Sequence, residues 1–119
     1  MCQTTTPMAR LPFRPVSAFR AIAVSGNSMS PAFNDGDWLL LKTFVRVDRK
    51  RLLRLIGKVV VIERESYPGI LFIKRVKRVD GNQVWVEGDN SLASTDSRQW
   101  GAISPKEIVG FVLFKYRSN

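Results

Sequence analysis

The chain contains no histidine. A nucleophile here cannot use a Ser-His-Asp or Cys-His arrangement, so any proton acceptor must be another side chain. There is one cysteine, Cys2, close to one end, which excludes an intrachain disulfide. With one thiol and no imidazole, the ligands of a zinc site are missing, and neither a metal nor another cofactor is expected. Long apolar runs are also lacking. Nothing approaches the roughly 20 consecutive apolar residues that span a bilayer. The longest candidate, Val16 to Val24, is interrupted by Arg20. The first residues carry Arg10 and Arg14 but no apolar core, so they do not read as a signal peptide. The expectation is a chain without a transmembrane anchor, cytoplasmic or, alternatively, at the periphery of a membrane. Acidic residues are scarce: 10 Asp and Glu face 19 Lys and Arg, a formal net charge of +9.

What is present fits one domain of 119 residues, 45% hydrophobic. Residues 1–15, with Thr4, Thr5, Thr6, Pro7, Pro12 and Pro15, read as a flexible N-terminal segment, and residues 16–119 as the folded unit. Turn signals recur at short intervals. Asn34 to Asp37, Pro68-Gly69 and Asp80-Gly81-Asn82 separate apolar runs at Ala21–Val24, Trp38–Lys42, Lys58–Glu63, Ile70–Val79, Val84–Glu87 and Ile108–Tyr116. Trp38–Lys42 is nearly all apolar and is expected to be buried on both faces. Between Thr43 and Gly57 two readings stay open: a helix capped by Asp48, carrying Leu52, Leu53 and Ile56, or an extended excursion. Ser104-Pro105 reads as a helix start, and Gly88–Gly101 as a loop. The fold class is mainly β, with about six strands.

Two stretches carry chemistry. In Ser25-Gly26-Asn27-Ser28-Met29-Ser30-Pro31 an apolar run ends at a Gly-Asn pair, which tolerates unusual backbone angles, and Pro31 restricts Ser30. A serine on such a turn presents an exposed hydroxyl with N–H groups nearby, as a nucleophile and oxyanion site need. An ordinary Ser/Asn/Gly turn has the same composition. In Ile70-Leu71-Phe72-Ile73-Lys74 a lysine ends four apolar residues. Desolvation disfavours the ammonium, so a buried lysine can accept a proton near neutral pH. A lysine at a strand end with its head in water is the alternative.

These stretches, with Gly88-Asp89-Asn90, Ser94 and Asp96-Ser97-Arg98 ending at Gly101, resemble the boxes of the type I signal peptidase family and the LexA-like self-cleaving domains. They stand in the family's order from Ser25 to Gly101. The resemblance implies a coiled β-sheet fold and a serine endopeptidase with a Ser-Lys dyad. Ser28 would be the nucleophile, Lys74 its base, Ser94 the residue orienting the lysine, and Asp96 with Arg98 a brace beneath the site. Met29, Phe72 and Ile73 would wall pockets for small side chains at the first and third positions before the cut. Gly26 stands where the common bacterial enzymes carry a serine as second oxyanion donor. The large inserted domain of those enzymes has no room between Lys74 and Gly88.

The implied partner is a protein precursor with an N-terminal leader, of which the nickel superoxide dismutase precursor is one example. A membrane-associated peptidase acting on secreted proteins and a LexA-like self-cleaving regulator are the other readings, and a catalytically dead binding module is a third. No Ala-Gly or Cys-Gly dipeptide of the kind that self-cleavers cut precedes Ser28. The basic run from Lys42 to Lys58 is Lys42, Arg46, Arg49, Lys50, Arg51, Arg54 and Lys58, with Asp48 its one acid. It reads as a solvated basic face ahead of a nucleic-acid site, since no stacking platform or helix-turn-helix accompanies it.

Overall fold

A computed structural model describes residues 17–44 and 47–118. The expected flexible segment 1–15, and Arg46 of the basic run, lie outside the described residues. Six strands form one antiparallel sheet: β1 (Ser17–Ala23), β2 (Trp38–Phe44), β3 (Val59–Glu63), β4 (Leu71–Asp80), β5 (Gln83–Glu87) and β6 (Ile108–Arg117). Their order is β1-β2-β6-β3-β4-β5. The fold is mainly β, as expected.

The turns act where their residues predict. Gly36, φ 88°, closes the Asn34–Asp37 turn, with the Asp37 N–H donating to the Asn34 carbonyl at 3.0 Å. Asp80 pairs with Gln83, so Gly81-Asn82 is a two-residue hairpin loop. Of the two readings for Thr43–Gly57, the helix is correct. α1 spans Arg49–Arg54, and the Asp48 side chain accepts from the Arg51 N–H at 2.8 Å. Leu52 faces the core, whereas Leu53 and Ile56 stay exposed. The basic face is partly engaged: Arg51 lies over the Phe44 ring and Arg49 donates to the Gly81 carbonyl.

Two expectations need correction. Trp38–Lys42 is not buried on both faces. It alternates, with Leu39 and Leu41 buried and Trp38 exposed, while Phe44 at the end of β2 is buried on the opposite face. Successive side chains of a strand point to opposite faces, so period two wins over composition. Gly88–Gly101 is not all loop. It holds a 3₁₀ turn, Ser91–Ala93, and a one-turn helix α2 (Ser97–Trp100) closed by a capping box between Asp96 and Gln99.

The sheet has apolar packing on both sides. Val60 and Ile62 of β3 join Phe44, Leu52, Val76, Val84, Val86 and Ile108 on one face. Val61 joins Val24, Leu39 and Leu41 on the other, where Ile22, Leu71 and Ile73 pack against them. Register shifts interrupt the β2–β6, β3–β6 and β4–β5 pairings. Such irregularities bend strands and raise the local twist. The sheet curls, and β1 and the start of β4, with three strands between them in the order, wall a common cleft.

Candidate active site

The cleft has a volume of about 660 Å³. Ser28 and Lys74 stand at the end to which β1 and β4 both run. Ser28 lies on the turn after β1. That turn is tied down at both ends: the Val24 N–H donates to the Asp37 carbonyl and the Gly36 N–H to the Val24 carbonyl, each at 2.8 Å. The Gly26 N–H donates to the Asp35 carboxylate at 2.7 Å. Gly26 takes φ 87°, the left-handed conformation that favours glycine. The Gly26 amide is therefore committed to holding the turn. No hydrogen bond within the described residues uses the Ser28 N–H, which leaves it open to an oxyanion.

Lys74 is the fourth residue of β4 and is 3% exposed. Its amine hydrogen-bonds to Ser94 Oγ at 2.9 Å. Ser94 Oγ in turn donates to Asp96 Oδ2 at 2.5 Å. A hydroxyl has one proton. With that proton given to Asp96, Ser94 can only accept from the lysine. A neutral Lys74 then keeps its lone pair free for another donor. Burial pushes the Lys74 amine below its ordinary value; Asp96 acts the other way, and the Arg98 guanidinium adds to the lowering.

Asp96 is fully buried and collects five donors. Its Oδ1 accepts from the Arg98 N–H and Nε, and its Oδ2 from the Gly88 N–H, Ser94 Oγ and Arg98 Nη2. Burial by itself raises its carboxyl. The hydrogen bonds from Arg98, Ser94 and the backbone of Gly88 and Arg98 outweigh that and hold it below the usual carboxylate range. Lys74, Ser94, Asp96 and Arg98 thus form one hydrogen-bonded chain ending in an ion pair of 2.7 Å.

The three expected wall residues are placed differently from one another. Ile73 lies on the cleft floor with Leu71. Phe72 lines the cleft, and its ring packs edge-on against Trp100 at 5.3 Å and Tyr67 at 6.1 Å. Met29 is fully buried and does not line the cleft. Its Sδ accepts from the Asp89 N–H at 3.4 Å, so it joins the serine turn to the Gly88–Asn90 stretch from beneath.

That junction is what reading by single motifs missed. The Asn90 N–H donates to the Ser28 carbonyl at 2.9 Å, and Asn90 Nδ2 to the Asn27 carbonyl at 3.0 Å. A Cβ on Gly88 would lie 2.7 Å from the Ser28 carbonyl oxygen and would run into the Ser94 side chain. Gly88 is where the serine turn and the Ser94 loop meet. Asp89 pairs with Arg75, the residue after Lys74, at 2.8 Å. The signal for all three was the Gly88-Asp89-Asn90 triplet itself, whose partners are distant in sequence.

A family model described as Peptidase S24-like matches residues 3–113. The chain is 30% identical to mitochondrial inner membrane protease subunit 2 of Schizosaccharomyces pombe, over 76% of this chain and 60% of that protein. It is 28% identical to subunit 2 of Saccharomyces cerevisiae, over 73% and 62%. It is 29% identical to subunit 1 of Mus musculus, over 79% and 67%. The chain therefore spans about three fifths of the length of its yeast relatives. Among the described residues no helix is long and apolar enough to cross a membrane.

Proposed function

Because the chain belongs to the Peptidase S24-like family, we propose that it is a serine endopeptidase that uses Ser28 and Lys74 as a dyad to remove an N-terminal leader from a protein precursor. One observation carries the reading: the single proton of Ser94 goes to Asp96, which leaves the lone pair of a desolvated Lys74 free in the cleft that Ser28 shares. Ser28 Oγ attacks the scissile carbonyl carbon and its proton passes to Lys74 Nζ. The Ser28 N–H stabilises the oxyanion. The C–N bond breaks, the leaving amine takes the proton from Lys74, and an acyl-enzyme remains. Lys74 then activates a water that hydrolyses it. Ser94 and Asp96 keep the amine oriented, and Arg98 balances the Asp96 charge.

The specific substrate proposed is the nickel superoxide dismutase precursor, for whose maturation the resemblance supplies a precedent. Coexpression of that precursor with the wild type and with Ser28→Ala, followed by mass measurement of its N-terminus, tests this. Loss of the leader with the wild type alone is expected; an intact leader rejects that substrate. Incubation of the pure protein separates cleavage in trans from self-cleavage, since a self-cleaver shortens. A second reading, a peptidase working at a membrane surface, draws on the exposed Phe19, Trp38, Phe114 and Tyr116 of β1, β2 and β6 and on relatives named as inner membrane proteases. Efficient cutting of an Ala-x-Ala signal peptide in vesicles, beside an untouched dismutase leader, favours it.

A further inference from the structure

One charged residue of the cleft has no part in the chemistry above. Arg20 sits in β1, four residues before Val24, and lines the cleft away from Ser28. Side chains alternate along a strand, so Arg20 shares a face with Ile22 and Val24. Its register partner on β2 is Leu41, and that of Ile22 is Leu39, both buried on that face. Directly opposed residues of an antiparallel pair share a face. Arg20 therefore extends the floor made by Ile22, Leu71 and Ile73. Among the described residues it is the one cleft charge besides Lys74; no carboxylate lines the cleft, and none pairs with Arg20.

We infer that Arg20 is a specificity-determining residue that favours an acidic side chain in the leader of the substrate. The inference rests on the peptidase reading. The segment walled by Phe72 and Ile73, proposed to hold the side chains just before the cut, runs back along the cleft towards Gly69 and Arg20. A strand advances about 3.3 Å per residue, so Arg20 lies roughly 13 Å from Val24, which places the acidic residue about four to eight positions upstream of the scissile bond. The net charge of +9 draws such a peptide in the same sense. Arg20 is exposed, so the preference is of the size of a solvated ion pair: about two- to five-fold in kcat/KM for Glu over Gln.

The test uses fluorogenic peptides with alanine at the first and third positions before the cut and a glutamine upstream segment, in which one Glu is moved through positions four to eight. The wild type is expected to prefer one Glu placement by about two- to five-fold, less so at high salt. Arg20→Gln should bring that ratio to one, and Arg20→Glu should prefer Lys at the same place. A merely structural role would change all peptides alike. A ratio of one at every position, or one that survives Arg20→Gln, overturns the inference. Cleavage of the all-glutamine peptide, lost in Ser28→Ala, reports the peptidase reading separately. If no peptide is cut, fluorescence anisotropy of the labelled Glu and Gln peptides on the wild type and Arg20→Gln decides by the same ratios.

Discussion

Replacing Asp96 by asparagine keeps the shape of a fully buried side chain and removes its charge. The two oxygens of Asp96 accept five donors, two on Oδ1 and three on Oδ2. An amide has one oxygen, and its NH2 is itself a donor. The better orientation keeps Gly88, Ser94 and Arg98 Nη2 on the oxygen and turns the NH2 towards the Arg98 N–H and Nε. Two donors then lose their acceptor and the ion pair is gone. Removing one partner of a buried pair costs about 3–5 kcal/mol. Arg98 keeps 32% of its side chain exposed and regains water, so a value near the lower limit, about 3 kcal/mol, applies. In a domain of this size that lowers Tm by roughly 10–15 °C. The sign with pH follows from a carboxyl held below its ordinary value in the folded state. Its contribution is fully present above the unfolded pKa of about 3.9 and is lost as the pH falls towards the folded value. Thermal melts of wild type and Asp96→Asn should differ by that margin at pH 7 and converge below about pH 4. Equal melting at pH 7, or a gap unchanged at low pH, would refute the ledger of donors. A variant that melts like wild type yet cleaves nothing would assign Asp96 a direct role in the chemistry.

Ser28→Ala and Lys74→Ala should each abolish peptide cleavage without unfolding, and the double variant should be no worse than either, because the two act as one unit; substantial turnover by Lys74→Ala would move the base elsewhere. Activity should rise with pH through an apparent pKa below the lysine value of 10.5, since burial lowers the Lys74 amine and the neutral form is the base; a flat rate profile from mildly acidic to alkaline pH would oppose this. Arg98→Gln removes a charge that lowers Lys74 and leaves Asp96, which raises it, so the profile should shift to higher pH; an unshifted midpoint would mean that Arg98 serves the loop alone. Gly88→Ala forces a Cβ to within 2.7 Å of the Ser28 carbonyl oxygen, so turnover should fall by at least as much as in Ser94→Ala; full activity would show that the two loops can part without loss.

The linear sequence determined what short-range physics controls. Asn34–Asp37 and Gly81-Asn82 close turns because glycine and asparagine accept conformations that other residues resist. Val59–Ile62, a β-branched run, is buried on both faces at the centre of the sheet. The resemblance of three stretches to the signal peptidase boxes named Ser28, Lys74, Ser94, Asp96 and Arg98, of which Lys74, Ser94, Asp96 and Arg98 form one hydrogen-bonded chain. The capping box of Asp96 and Gln99 went unread in a stretch taken as loop, because one helical turn is too short for periodicity to reveal. The tertiary structure alone decided the rest. Trp38–Lys42 has an apolar composition, but only the side that carries Leu39 and Leu41 is buried, against Val24 and Val61. Met29 belongs under the serine turn because Asp89, sixty residues on, packs over it. Lys74 is a buried amine through Ser94 and Asp96, which no local pattern joins to β4. Arg20 and Gly69 share a cleft only because a sheet ordered β1-β2-β6-β3-β4-β5 curls on its register shifts. Contacts of that sequence separation are set by how both apolar faces of the sheet are covered at once, which a reading along the chain does not contain.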